Sequence, residues 1–190
     1  MSLFARLKSL LPGRHNAEQR EIYLPVYTAI VAQSRQPALY GEQGAPDSFD
    51  GRFDVLVLHM YLVLRRLKHD GVSRHGAGQV LFDLFFRDMD QAMREMGVGD
   101  MGVGKKVKKM AEAFYGRVAA YDEALQSDAA QQEISEILQR NLFPEAITPE
   151  TLGNAQRLAA YALALDEFLT SLPLAQILTR EVFRQAPEAV

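Results

Sequence analysis

The sequence predicts an all-α protein, a single compact multi-helix domain with a short N-terminal amphipathic helix and a C-terminal helical extension. Apolar residues recur every three or four positions along most of the chain, which is the period of an amphipathic helix. Segments rich in Gly, Pro and Asp separate these stretches, and no segment shows the strict alternation typical of a half-buried strand. The 190 residues, 48% of them hydrophobic, are enough for one domain with a hydrophobic core.

The first two helices are separated by a turn-forming segment. Asn16, with Gln19 three residues later, can cap a helix that runs to about Arg35. Pro25 lies inside this helix and is expected to kink or split it, because proline has no amide hydrogen to donate. A loop rich in Gly, Pro and Asp follows. Residues 52–68 then form a second helix, which is apolar on nearly all sides and is therefore expected to be central.

Breaks and caps place the remaining helices. A break at 69–78 precedes the third helix. Ser127 or Asp128 can cap the fifth, and Thr148 followed by Pro149 is a strong helix start. The predicted helices cover about residues 79–96, 103–125, 128–142, 149–171 and a short stretch that ends near residue 184.

This pattern divides the chain into three parts. Residues 1–15 form a basic amphipathic segment, residues 16–145 a helical domain, and residues 146–190 a C-terminal helical extension packed on the core. The N-terminal segment has two open interpretations. It could lie on an anionic membrane surface, or it could cap the fold as an ordinary terminal helix.

Composition and charge exclude several classes of function. The absence of cysteine excludes disulfide frameworks, zinc–thiolate sites, iron–sulfur clusters and thiol catalysis. A net charge of −3 gives no global reason to expect binding to nucleic acid. The most apolar run, residues 55–64, is about half the ~20 residues that a membrane-spanning helix requires.

Residues 97–106, "GVGDMGVGKK", match two phosphate-binding patterns, G-x-G-x-x-G and G-x-x-x-x-G-K. Both patterns bind phosphate when a strand precedes the glycine loop. Here an amphipathic helix precedes it, and Lys106 stands where a Ser or Thr would hold magnesium. We therefore predict no nucleotide site. Gly97 suits the left-handed position that ends a helix, and the segment is predicted to be an inter-helix connector.

Four lysines crowd the first turns of the fourth helix: Lys105, Lys106, Lys108 and Lys109. Cations near a helix N-terminus oppose the macrodipole and cost some tenths of a kcal/mol each. Two interpretations are open. The lysines form an electrostatic docking patch for an anionic protein, ribosomal RNA or lipid head groups, or they are a solvated helix face.

The third helix carries an apolar stripe with two similar interpretations. Its members are Phe82, Phe85, Phe86, Met89, Met93 and Met96. Met-rich and Phe-rich surfaces can bind varied apolar clients, but a stripe at this spacing is also typical of a buried core face.

No pattern nominates a catalytic centre. The sequence contains no G-x-S-x-G and no H-E-x-x-H, and His59 lies in the most apolar helix, where a hydrogen-bonded core histidine is expected. We predict no enzyme activity, no cofactor and no metal.

Two blocks of sequence resemble the ubiquinol–cytochrome c chaperone family. They are "DGRFDVLVLHMYLVLRRLK" at 50–68 and the segment 81–125, which contains "DMDQAMREMGVGD" and "VGKKVKKM". The resemblance covers roughly residues 20–145. It implies an all-helical, non-enzymatic assembly factor for ubiquinol–cytochrome c reductase that handles newly made cytochrome b. Because the chain starts with a short basic helix, it looks like a bacterial member acting in the cytoplasm, peripheral to the inner membrane.

From the resemblance and the residues together we expect an apolar groove with a basic rim. The expected partner-binding residues are Phe82, Phe86, Met89, Arg94, Lys105, Lys106, Lys108 and Lys109. The expected partner is apo or nascent cytochrome b, with an anionic membrane surface and the ribosome as further candidates, and with no DNA and no nucleotide. The alternative is a peripheral membrane or ribosome-docking adaptor that uses the lysine cluster.

Overall fold

Seven α-helices form the regular structure of residues 17–69 and 74–188, the part of the chain that the computed structural model describes. They are α1 (Ala17–Ser34), α2 (Phe49–His69), α3 (Gln79–Glu95), α4 (Asp100–Ala124), α5 (Ala130–Leu142), α6 (Pro149–Ser171) and α7 (Leu174–Ile177). A 3₁₀ turn, Pro37–Leu39, follows α1, and a π-helical turn, Arg74–Gly78, leads into α3. The all-α prediction is confirmed. The predicted N-terminal helix at 1–15 lies outside the described residues.

Helix α2 is the centre of the fold, as its composition predicts. Every residue from Phe53 to Val63 is buried, so the helix is enclosed on all sides. It contacts α1, α4, α5 and α6. A helix that is apolar all round is stable only when other elements cover its whole circumference, and these four helices cover it here.

Helix α1 continues through Pro25, so the prediction of a split at this residue is wrong. The proline removes one backbone hydrogen bond. Burial compensates for the loss, because Val26 and Ile30 are fully buried and α1 packs on α2 and α3. The hydroxyl of Thr28 also donates to the Leu24 carbonyl at 2.8 Å.

Helix α6 begins where the sequence predicts. The Thr148 hydroxyl accepts a hydrogen bond from the Thr151 amide at 3.2 Å, and Pro149 occupies the first turn. The opposite end is capped by the buried Arg66 side chain of α2, which donates to the carbonyls of Leu169 and Leu172 at 2.8 Å each. Helix α6 contributes residues to the same hydrophobic core as α1 to α5.

The C-terminal segment departs from the prediction. The last helix ends at Ile177, and turns occupy residues 178–185, where a helix to about residue 184 was expected. Ile177 and Val182 are both fully buried. Turns allow both side chains to reach the core, because the intervening residues need not follow one helical face.

Candidate docking surface

The α3–α4 connector starts with a glycine that ends α3. Gly97 has a φ of 79°, which residues with a Cβ rarely adopt. The Gly97 amide donates to the Arg94 carbonyl at 2.9 Å, and the Val98 amide donates to the Met93 carbonyl at 3.1 Å. This pair of bonds is the Schellman motif, which satisfies carbonyls that a helix end leaves without partners. The predicted helix stop at Gly97 is confirmed.

The connector is shorter than the sequence suggests. Gly102, predicted to lie in the connector, is inside α4, which begins at Asp100 with Gly99 as its N-cap. The Gly99 carbonyl accepts hydrogen bonds from the amides of Gly102 and Val103 at 2.7 and 3.1 Å. Val103 is only 1% exposed, so burial of this side chain stabilises a helical turn that glycine propensity alone disfavours.

Because Gly104 is helical and exposed, Gly104→Ala is expected to raise the free energy of unfolding by about 0.5–1 kcal/mol. A Cβ at this position meets no atom within 4 Å. Urea unfolding monitored by circular dichroism measures the change. Gly97→Ala is the matched control and is expected to destabilise the protein, because its φ is positive. Destabilisation by Gly104→Ala would show that this turn is not helical in solution.

The four lysines lie on the surface of α4. Lys105, Lys106, Lys108 and Lys109 are all exposed, while Val103, Met110 and Phe114 on the inner face are buried. No ion pair joins any of these lysines to a carboxylate within residues 17–69 and 74–188. The cluster therefore presents four charges to a partner without first having to break an ion pair.

The predicted apolar residues are placed differently. Phe82 and Met89 are buried, with 8% and 7% exposed, and Phe86 is half-buried. The rings of Phe82 and Phe86 face α4: the ring centroid of Phe114 is 5.5 Å from that of Phe82 and 6.1 Å from that of Phe86. Four of the six stripe residues, Phe82, Phe85, Met89 and Met93, are buried, so the stripe is mainly core and does not form an open apolar groove in this structure.

A different apolar side chain accompanies the lysines. Met96, the last residue before Gly97, is 55% exposed. Arg94 is also exposed in this region and pairs with Asp90 at 2.7 Å on the same helix. Because the connector is short, the C-terminus of α3 and the N-terminus of α4 lie at the same end of the helix pair. The sequence pattern placed Met96 in the apolar stripe of the third helix. Its position just before the helix-ending glycine is the local signal for its exposure.

Asp88, in the segment that carries the resemblance, has a structural contact. The Tyr27 hydroxyl donates to its carboxylate at 2.9 Å and joins α1 to α3. Burial and the nearby Asp88 charge raise the pKa of Tyr27 above its ordinary value, so the hydroxyl keeps its proton. This acid therefore stabilises the helix packing behind the surface rather than the surface itself.

His59 is fully buried between α2 and α6, as expected of a core histidine. Its Nδ1 donates to the Val55 carbonyl at 2.8 Å, and its Nε2 lies 2.8 Å from the Tyr161 hydroxyl. Among the residues that the structure describes, no group of three metal-ligating side chains could hold a metal ion. No helix in the described ranges is long and apolar enough to cross a membrane.

Comparisons with known proteins agree on one family. The model of the family described as "Ubiquinol-cytochrome C chaperone" matches residues 42–185. A crystal structure of the Cbp3 homolog from Brucella abortus is similar over 97% of this chain and 98% of that chain, with a TM-score of 0.73 and 34% sequence identity.

Curated relatives are similar over shorter segments. Ubiquinol-cytochrome c reductase complex assembly factor 1 of Homo sapiens is 29% identical over 105 residues, which are 55% of this chain and 35% of that protein. The Xenopus laevis counterpart is 26% identical over 120 residues, which are 63% of this chain and 59% of that protein. The match thus spans less than two thirds of the length of these relatives. The family match covers more than half of this chain, which therefore belongs to the ubiquinol–cytochrome c chaperone family.

Proposed function

We propose that this protein is an assembly chaperone for ubiquinol–cytochrome c reductase and that its client is newly made cytochrome b. Family membership over residues 42–185 is the observation that carries the proposal. The similar proteins named as assembly factors of this complex support it. The proposed place of action is the cytoplasmic face of the inner membrane. The role is proposed to be non-enzymatic.

The basic end of the α3–α4 pair is the proposed client-binding surface. Its lysines carry four exposed charges, Arg94 lies on the same end, and Met96 supplies an exposed apolar side chain. In a protein interface, the buried apolar contact supplies affinity, while the charges orient the partner and speed its association. Phe82 and Met89 can take part only after a rearrangement of the α3–α4 packing, because both are buried here.

Deletion of the gene is expected to remove the cytochrome b signal from membrane difference spectra, and the wild-type chain should restore it. Lys105→Glu with Lys109→Glu is expected to reduce the recovery of cytochrome b with the affinity-tagged protein by about tenfold, equivalent to about 1.4 kcal/mol. The physical reason is that each reversal replaces attraction to an anionic client surface with repulsion.

Arg20→Glu with Arg180→Glu is the matched control, because both arginines are exposed and the net charge changes by the same amount. Normal cytochrome b in the deletion strain would contradict the proposed function. Equal recovery of cytochrome b with both double variants would assign client binding to another surface.

The same lysines also support the alternative of an adaptor that docks on anionic lipid or on the ribosome. Four exposed lysines that form no ion pair within the described part of the chain are suited to a salt-sensitive contact of this kind. Binding to anionic vesicles or ribosomes that is lost in the double lysine variant, while cytochrome b recovery stays normal, would favour the adaptor.

A further inference from the structure

The outward surface of α4 carries one continuous face along most of the helix, here called the outer face of α4. Its members recur at alternating steps of four and three residues, so they lie in one row. All are exposed: Lys105, Lys109, Glu112, Gly116, Ala119 and Glu123. The row begins in the lysine cluster and ends near the C-terminus of the helix.

The side chains in the middle of the outer face of α4 are small and exposed. A Cβ built on Gly116 meets no atom within 4 Å, and Ala119 one turn later is exposed. Small side chains leave the helix backbone accessible, so a second helix can approach here more closely than it could over long side chains. No long apolar side chain lies in this row.

The C-terminal end of the outer face opens into an acidic depression of about 570 Å³ between α4 and α5. It is lined by Ala119, Asp122, Glu123, Gln126, Ser127 and Glu133. Asp122 is engaged with Lys68, Nζ to Oδ2 at 3.4 Å, and Glu133 accepts from the Ser127 hydroxyl. Glu123 has no ion pair in residues 17–69 and 74–188, so it can accept a cation from outside.

On the outer face of α4, the basic end and the acidic end lie at equal distances from Gly116. Lys109 precedes Gly116 by seven residues and Glu123 follows it by seven, about 10 Å along the axis in each direction. An antiparallel copy of α4, related by a two-fold axis beside Gly116, brings each Lys109 opposite the second copy's Glu123. Lys105 then lies opposite Ser127 at the acidic depression. We propose that the outer face of α4 is a self-complementary docking surface for a second copy of this chain.

The charge arrangement of α4 gives this pairing a physical basis. Asp122 and Glu123 lie in the last turn of α4 and oppose the dipole of their own helix. An antiparallel second helix with its axis beside Gly116 ends at the level of Lys108 and Lys109, so its negative C-terminal end faces these lysines. A two-fold contact uses the same patch on both subunits. Because the centre is small and the contacts are polar, the dimer is expected to be weak and sensitive to salt.

This inference stands apart from the proposed client, although both use Lys105 and Lys109. Self-association and client binding exclude each other at these lysines, so a bound client would separate the two copies. The test uses the purified full chain without any client, and its outcome is therefore independent of cytochrome b.

Sedimentation equilibrium of the wild-type chain is expected to show a monomer–dimer equilibrium at low ionic strength that shifts to monomer in high salt. Two double variants test the charge pairing. Lys105→Glu with Lys109→Glu makes the outer face acidic, and Glu123→Lys with Gln126→Lys makes it basic. Each variant alone is expected to dimerise about tenfold or more weakly than the wild type. An equimolar mixture of the two is expected to form a heterodimer, because both ends are again complementary.

Arg20→Glu with Arg180→Glu, which changes the charge away from α4, is expected to dimerise as the wild type does. Circular dichroism verifies that every variant is folded. A wild type that stays monomeric at low salt and millimolar concentration would overturn the proposal. A mixture of the two double variants that remains monomeric would also overturn the proposal. That result would mean that the lysines bind anions but do not pair with the acidic end of a second copy.

Discussion

Arg117→Met is expected to lower the free energy of unfolding by about 3–5 kcal/mol at neutral pH. The Arg117 guanidinium of α4 forms an ion pair with the Asp54 carboxylate of α2, and Nη2 donates to Oδ2 at 3.1 Å. The side chain of Asp54 is only 2% exposed. Removal of the arginine charge would leave this carboxylate buried and without a counterion, which costs far more than the loss of an exposed pair.

The stability lost in Arg117→Met is also expected to depend on pH. Burial raises the pKa of the Asp54 carboxyl above its ordinary value, and the Arg117 guanidinium opposes that rise. Without Arg117, burial and the neighbouring Asp50 charge raise the pKa further. A group whose folded pKa is raised destabilises the fold as pH rises through that pKa. The difference between wild type and Arg117→Met should therefore shrink as pH falls and Asp54 takes up a proton.

Denaturant unfolding at a series of pH values from neutral to acidic measures the difference in the free energy of unfolding between wild type and Arg117→Met. Two further variants show whether the buried charge of Asp54 causes it. Asp54→Leu combined with Arg117→Met is expected to recover most of the lost stability, because a buried ion pair replaced by apolar side chains is often neutral or stabilising. Arg184→Met is the exposed control. Its pair with Glu181 has side chains 75% and 60% exposed, so a change below about 1 kcal/mol is expected. A similarly small effect of Arg117→Met would show that Asp54 is hydrated in solution.

Local signals in the sequence predicted most of the helices. Thr148 with Pro149 fixed the start of α6, and Gly97 fixed the end of α3, because caps and positive φ depend on the residues themselves. The start of α4 was predicted three residues too late, since glycine propensity disfavours a helix and the burial of Val103 is a tertiary effect.

Of the candidate docking surface, the sequence predicted the exposed lysine cluster but not the position of the apolar residues. Exposed lysines opposite a buried stripe follow from the helical period, whereas periodicity does not reveal whether a stripe faces the core or a client. Phe82 and Met89 are buried in this structure, and their role in client binding stays a prediction. The ion pair of Asp54 with Arg117 joins residues 63 apart, and no local pattern links residues at that separation.

Acidification is expected to destabilise the wild-type fold through His59. The ring is fully buried, and burial lowers its pKa to about 4 from about 6.5. Nδ1 donates to the Val55 carbonyl, which leaves Nε2 as an acceptor for the Tyr161 hydroxyl. That hydroxyl in turn accepts from the Gln33 amide at 3.0 Å. The chain of bonds joins α1, α2 and α6 and requires a neutral imidazole.

The direction of the effect follows from the two pKa values. Above pH 6.5 the histidine is neutral in both the folded and the unfolded chain, so the group adds no dependence on pH. Between pH 6.5 and 4 only the unfolded chain binds the proton, and stability falls by about 1.4 kcal/mol per pH unit. Below pH 4 both states are protonated. The total loss from this group is therefore about 3 kcal/mol.

The comparison of His59→Gln with wild type isolates this contribution, because the other acid-sensitive groups are present in both. His59→Gln is expected to be less stable than wild type at pH 7.5, since the bonds to Val55 and Tyr161 are disturbed, but the gap should narrow steadily as pH falls from 6.5 to 4. Parallel profiles for wild type and His59→Gln would mean that the His59 ring is hydrated or already protonated in the folded chain. In that case the hydrogen bond from Gln33 to the Tyr161 hydroxyl would persist without a neutral His59 ring beside it.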